Sequence, residues 1–394
     1  MDQKIEFALK ALNSGNFRRL CRDYGISAKT GYKWKERFLA HGLEGLHEAS
    51  RKPQNAPTKL SEEQICGIIL LKNKHPYWGP LKLREVYQRQ WGAQQTPSLS
   101  SFKRVLERTG LVVKRRIRPA PHSAIRLNSG RRGQAPNEVW SVDFKGWWRD
   151  PEGQKCEPLT VRDEHSRYIL DCHRLVKGDT EAVWDRFERL FKRHGLPQAI
   201  RSDNGSPFAS HGGVLGLSRL SARWLALGID LERGRPGCPQ DNGAHERMHR
   251  DISNELQCQS QGWSQDALDA WKEEFNHQRP HQALGMKTPG EVYTASSKSY
   301  GGLPEDLRYE KLPQSRKISR RGLLKWKSRS IFISEALAGW SVGLSPREDG
   351  LIDLYFANLL LGQLEPATHS FQRAASGSLE AGERKRVEVR ASEG

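Results

Sequence analysis

Apolar positions recur at helical spacing in the first third of the chain, in strand-like runs through its middle, and in short alternating runs near its end. In FRRLCRDYGISAKTGYKWKERF, Leu20, Cys21 and Tyr24 share one helical face. Gly25 breaks that pattern, and Ser27 can cap a second helix carrying Tyr32, Trp34 and Phe38, so residues 5–46 read as a helix-turn-helix. Pro53 and Pro57 discourage helix in the next segment. A capping box at Ser61 then opens helical patterns at 62–74, 81–91 and 98–109, a second unit of the same kind. Strands are predicted at 139–148, 158–163, 167–175, 198–203 and 229–233. Between the third and fourth, Asp179 caps a helix with Val183, Trp184, Phe187, Leu190 and Phe191 on one face, ended by Gly195 and Pro197. After residue 293, β-type runs at 330–333, 340–344 and 351–356 suggest a small barrel. From about 366 the composition turns to Ala, Ser, Gly, Glu and Arg, and disorder is expected.

The predicted organisation is therefore a helix-turn-helix domain at 1–50, a linker at 51–59 and a second helix-turn-helix-like domain at 60–118. A basic linker at 119–135 leads to an α/β core at 136–295, a small β-rich domain at 310–365 and a disordered tail at 366–394. A chain of 394 residues is long enough for several such cores.

Charge narrows the partner. The chain carries 64 Lys and Arg against 46 Asp and Glu, a formal +18. Residues 1–135 hold 27 of those cations and only 10 of the acids, which points to nucleic acid as the partner of the amino-terminal half. Lys29, Thr30, Lys33 and Arg37 on the recognition helix are of types that reach bases and phosphates from the major groove. Lys103, Arg104 and Arg108 repeat that character in the second unit. Between Arg108 and Asn137 there is no carboxylate, while Lys114, Arg115 and Arg116 begin a basic, Pro- and Gly-containing arm suited to lie along phosphates. Six cysteines without a CxxC pair argue against a zinc finger or disulfide framework. No run of 18 apolar residues exists, and MDQKIEF lacks the apolar region of a secretory signal. A cytoplasmic protein, nucleoid-associated when bound to DNA and without a membrane partner, is expected.

Three carboxylates carry the candidate chemistry: Asp143 in VWSVDFKGWW, Asp203 in AIRSDNGSPF and Glu246 in PQDNGAHERMHR. The first two end predicted strands and the third opens a helical pattern, so acids from separate elements can meet at one sheet edge. One such Asp is more often a solvated turn residue than a ligand, and Asn204-Gly205 is itself a turn signal. Three in order are what point to phosphoryl transfer, because hard divalent cations take oxygen ligands.

With SDNGSPF, RPGCPQDNG and FNHQRPHQALGMKTPGEVY added, residues 10–295 resemble bacterial insertion-sequence transposases of the DDE class, with a retroviral-integrase-like core. The resemblance implies an RNase H-like core with a mixed five-stranded sheet and helices. It also implies a Mg²⁺-dependent enzyme that cleaves and joins DNA strands at transposon ends and target DNA. Asp143, Asp203 and Glu246 match the metal-binding triad, holding two Mg²⁺ ions for which Mn²⁺ can substitute. An oligomer assembled on DNA is implied too, and Asn204 and residues 276–281 are expected to support the site. The gap from Asp203 to Glu246 is longer than usual in the family, with the excess assigned to 211–221.

Two other readings use the same residues. His245, Glu246 and His249 spell HExxH, the pattern of a zinc metallopeptidase with Glu as general base. A DNA-binding regulator would need only the helix-turn-helix units, and would leave residues 139–293 without a role.

Overall fold

The computed structural model describes residues 2–48, 60–112, 133–149, 153, 155–234, 243–256, 264–310, 312–374 and 389–391. The chain divides into two compact units, Met1–Ser61 and Glu62–Gly394.

The first unit contains α1 (Asp2–Leu12), α2 (Phe17–Asp23) and α3 (Ala28–His41). Ser27 caps α3 by accepting from the Thr30 amide, as its position after Gly25 predicts. The helices close around Phe7, Ala11 and Cys21. Tyr32 does not join them: it is 51% exposed and stacks on Phe17 with ring centroids 4.3 Å apart. Gly31 sets how closely α3 approaches its neighbours, because a Cβ there would stand 2.5 Å from Cys21 Sγ and 2.9 Å from the Phe7 ring. Gly31→Val should therefore destabilise this unit by about 1–3 kcal/mol or more in urea unfolding, the usual cost of overpacking. Unchanged stability would show that the helices can part without loss.

The second unit opens with α4 (Glu62–Lys74), α5 (Pro80–Trp91) and α6 (Leu99–Arg108), whose amphipathic faces bury Leu83, Tyr87, Phe102 and Leu106. These helices are fastened to segments some two hundred residues further along the chain. His75 Nδ1 lies 3.0 Å from Glu274, and Arg89 donates to both oxygens of Glu291 at 3.2 Å and to the Met286 carbonyl at 3.0 Å.

The core is built from β1 (Val139–Phe144), β2 (Trp148–Arg149), β3 (Lys155–Asp163), β4 (Ile169–Leu175), α7 (Thr180–His194), β5 (Ala199–Ser202), α8 (Arg219–Ala226), β6 (Asp230–Arg233), α9 (Gly243–Leu256), α10 (Gln265–His277) and α11 (Pro289–Val292). The strand expected at 139–148 is interrupted: Gly146 takes a φ of +93°, and the chain resumes pairing only as the short β2. The main strands lie in the order β4-β3-β1-β5-β6, with β3 antiparallel to both neighbours and β1, β5 and β6 parallel. The sheet is mixed, as expected, but with β2 paired to β3 it has six strands where five were expected. Its side chains alternate by face. Trp140, Val142, Leu159 and Val161 join α7 and α8 in one hydrophobic cluster. On the other face Ile169 and Cys172 pack with Met248, Ile252 and Leu256 of α9 and Leu268, Trp271 and Phe275 of α10.

The carboxy-terminal region holds β7 (Leu307–Tyr309), β8 (Gln314–Lys317), β9 (Leu323–Trp326), β10 (Arg329–Phe332), β11 (Ser341–Pro346), β12 (Ile352–Phe356), β13 (Leu359–Glu365), β14 (Ser370–Arg373) and β15 (Val389–Ala391). It is β-rich, but among the described residues its pairing does not close a ring. The main sheet runs β14-β13-β12-β11-β8, beside the pairs β9–β10 and β7–β15. Short alternating runs predict strands; closure depends on non-local pairing that they do not encode. Of the tail expected to be disordered from 366, residues 375–388 and 392–394 lie outside the described residues, and the described part holds strands. β14 pairs with β13, and β15 with β7, because an open strand edge offers backbone partners that local composition cannot reveal.

Candidate active site

The sheet order explains where the three acids go. β1 and β5 are parallel neighbours, with Val139 opposite Ala199, so their carboxyl ends lie side by side. Asp143 is the penultimate residue of β1, Asp203 directly follows β5, and Glu246 lies in the first turn of α9. Asp143 is half-buried, while Asp203 and Glu246 are exposed. Burial, reinforced by the negative charges of Asp203 and Glu246, pushes the Asp143 carboxyl up to about 7. The three groups thus share one electrostatic environment. Among the described residues no three His, Cys, Asp or Glu side chains are spaced to hold a single ion. A pair of Mg²⁺-type ions does not need that, since each is normally held by one or two carboxylates together with waters and substrate phosphates. An all-oxygen set that raises the pKa of its most buried member fits a hard divalent cation.

The backbone around Asp203 is held firmly. Its Oδ1 accepts from the Gly205 amide at 3.1 Å, and Asn204 Nδ2 donates to the Gly234 carbonyl at 2.8 Å. Arg233, at the end of β6, donates to the carbonyls of Asp203 (3.4 Å), Phe208 (2.9 Å) and Gly216 (3.5 Å). One guanidinium therefore gathers the loop containing the long insertion, a role its place in DLERGRPG did not reveal.

The face of the sheet beneath the start of α9 is polar. Ser141 and Asp143 alternate on β1 opposite Arg162 and Thr160 of β3. An apolar helix face would leave these groups unpaired, and α9 meets them with histidines. His245 is fully buried, with Nδ1 3.0 Å from Ser141 Oγ and Nε2 2.9 Å from Thr160 Oγ1. His249 Nε2 lies 2.8 Å from the same Thr160 hydroxyl. Arg162 Nη1 donates to the Ala244 carbonyl at 3.0 Å. Burial, then neighbouring cationic charge, pushes His249 down to about 4, and burial likewise lowers His245 well below the usual imidazole range. Both rings are neutral docking groups. The i, i+4 spacing that suggested zinc ligands instead aims two imidazoles at one hydroxyl.

Of residues 276–281, Asn276 accepts from the Ile169 amide and donates to its carbonyl, at 2.8 and 2.9 Å, stitching α10 to β4. Arg279 pairs with Asp251 and Glu255 of α9, each at 3.0 Å. Both act on the scaffold that carries Glu246. Among the candidate DNA contacts, Lys29, Lys33, Lys103, Arg104 and Arg108 are exposed, while Thr30 and Arg37 are half-buried and the Thr30 hydroxyl lies 2.9 Å from Ser27 Oγ. Lys114, Arg115 and Arg116 lie outside the described residues.

Comparison with known proteins bears on this arrangement. Residues 133–239 and 227–289 match the Integrase core domain families, residues 3–54 a Helix-turn-helix domain and residues 30–106 a Homeodomain-like domain. The chain is 30% identical over 261 residues to the uncharacterized 31.7 kDa protein of insertion element IS407 from Burkholderia multivorans, covering 63% of this chain and 87% of that protein. It is 24% identical to the uncharacterized 39.2 kDa protein of insertion element IS476 from Xanthomonas euvesicatoria, over 63% of this chain and 70% of that one. The transposase for transposon Tn552 from Staphylococcus aureus is 22% identical over 352 residues, 79% of this chain and 71% of its own length.

Proposed function

The chain belongs to the integrase-core transposases of bacterial insertion elements, and from that premise we propose that Asp143, Asp203 and Glu246 are the groups through which it cleaves and joins DNA strands. The observation carrying this reading is the placement of three carboxylates on three separate elements, at the adjacent ends of parallel β1 and β5 and in the first turn of α9, where the charges of Asp203 and Glu246 add to the burial that raises Asp143. Two Mg²⁺ ions, replaceable by Mn²⁺, would be held by Asp143, Asp203 and Glu246 and would supply activation of the attacking oxygen and stabilisation of the leaving one. The residues themselves do three things. Asp143, on a strand with neighbours on both sides, presents a carboxylate whose position the sheet dictates. Asp203 is held by the Arg233-gathered loop. Glu246 rides on a helix whose docking is polar and therefore directional.

The helix-turn-helix units bind the element's ends, and a homo-oligomer assembled on DNA brings two ends to one target. Removing Lys29, Lys33 and Arg37 together should reduce the slope of log affinity against log salt by up to about 0.9 for each phosphate no longer neutralised. An unchanged slope would place the phosphate-binding groups elsewhere.

The zinc reading makes an opposite demand. Its ligand nitrogens are already engaged by hydroxyls, so His249→Ala should reduce Mg²⁺-dependent strand transfer only modestly and the purified protein should hold no stoichiometric zinc. Zinc lost together with peptide hydrolysis in that variant would reverse the assignment.

A further inference from the structure

Thr160 stands directly opposite Asp143 across the β1–β3 ladder and is completely buried. Its hydroxyl has three polar partners. It donates to the Asp143 backbone carbonyl at 3.0 Å, and it lies 2.9 Å from His245 Nε2 and 2.8 Å from His249 Nε2. A hydroxyl has one proton and two lone pairs. Since a carbonyl can only accept, the proton is committed to Asp143, and His249 must present Nε2–H to one of the lone pairs. Ser141 donates its own single proton to Glu164 at 2.6 Å, so a neutral His245 can donate to one of its two hydroxyl neighbours, Ser141 at Nδ1 or Thr160 at Nε2, but not to both. One oxygen atom therefore ties the strand bearing Asp143 to the residues immediately before and three after Glu246.

We propose that Thr160 is a positioning residue for the metal site: its hydroxyl sets the separation of the Asp143 and Glu246 carboxylates by joining β1 to α9 through His245 and His249. This rests on the assignment of those two acids as cation ligands. The geometry explains why the site needs a hydroxyl rather than an apolar group. Hydrophobic packing of α9, through Met248, Ile252 and Leu256, is non-directional and tolerates sliding along the sheet, whereas hydrogen bonds converging on one atom do not. It also accounts for two sheet-facing imidazoles on a helix whose acid is exposed. In other metal sites, loss of a group that orients the ligands lowers metal affinity about 10–100-fold.

The test is Mn²⁺ binding to the full chain without DNA, followed by paramagnetic resonance of the free ion, alongside the Mg²⁺ concentration needed for half-maximal strand transfer. Thr160→Val is nearly isosteric and should weaken Mn²⁺ binding about tenfold or more, with a comparable rise in the Mg²⁺ requirement and much of the lost rate regained at high Mg²⁺. Thr160→Ser should restore affinity to within about twofold of the parent, because it keeps the hydroxyl. Should Thr160→Val fail to fold by circular dichroism, His249→Leu replaces it, with affinity falling about threefold or more once its hydrogen bond to Thr160 is removed. Nitrogen-15 spectra should show His249 as Nε2–H, and an Nδ1–H form of that ring would overturn the proposal. Asp143→Asn separates the premises. If it abolishes Mn²⁺ binding while Thr160→Val binds as the parent does, the positioning role is wrong and the metal ligands stand. If Asp143→Asn binds Mn²⁺ unchanged, the ligand assignment fails and the role of Thr160 fails with it.

Discussion

Asp143→Asn, Asp203→Asn and Glu246→Gln should each reduce strand transfer on an end-sequence oligonucleotide by about a thousandfold or more, corresponding to roughly 4 kcal/mol of transition-state stabilisation. Amide replacements keep shape and hydrogen bonding but remove the charge that a cation requires, so the loss should fall on chemistry and not on DNA binding. Equal end-binding by the parent and all three variants in a mobility-shift assay, with joined product absent, is the expected pattern. A variant retaining about a tenth of the parental rate, a deficit of only roughly 1.4 kcal/mol, would remove that residue from the triad. The regulator reading fares differently under the same experiment: its function would survive all three substitutions.

The second large effect is on stability, and its sign follows from the direction of the Asp143 shift. Its carboxyl is raised from the ordinary 3.8 to about 7 in the folded chain, so between those values the folded state binds a proton that the unfolded state has released. The Asp143 contribution to the stability of the metal-free protein should accordingly fall as pH rises from about 4 to 7, opposite in sign to that of the depressed His245 and His249, so it is read as the difference between the parent and Asp143→Asn. Added Mg²⁺ supplies the missing positive charge and should raise the melting temperature more at about pH 8 than at about pH 5, by mass action on the folded state. Asp143→Asn should melt on the order of 5 °C higher than the metal-free parent at about pH 8, near it at about pH 5, and respond little to Mg²⁺. A gap between the parent and Asp143→Asn that does not widen with pH across this window would contradict the raised Asp143 carboxyl. A variant expected to be inactive is thus expected to be more stable without metal, as when strain is concentrated at a functional site.

How the acids converge was legible only in part. The run VWSVDF predicts a buried strand, and Asp179, Gly195 and Ser27 mark helix ends that the structure reproduces. These are local signals, set by side-chain periodicity and by the backbone groups a cap must satisfy. The histidines of HERMH were a different matter. Spacing alone places them on one helical face, and that fact serves a zinc site and a docking surface equally well. Only the strands opposite decide between them, because Ser141 and Thr160 occupy the space a metal would need. Arg233 was invisible for the same reason: its partners are carbonyls of a loop distant in sequence, and carbonyls leave no trace in residue type.

The amino-terminal charge excess, the order of helices and strands, and the position of each acid at the end of an element are properties of the sequence by itself, since each depends on residues within a few positions or on composition. The pairing of β1 beside β5 that brings Asp143 to Asp203, the polar docking that carries Glu246 toward them, and the capture of β14 and β15 by open strand edges were decided by tertiary structure. Those depend on which buried donors and acceptors find partners across the fold, a requirement that is satisfied only once distant segments meet.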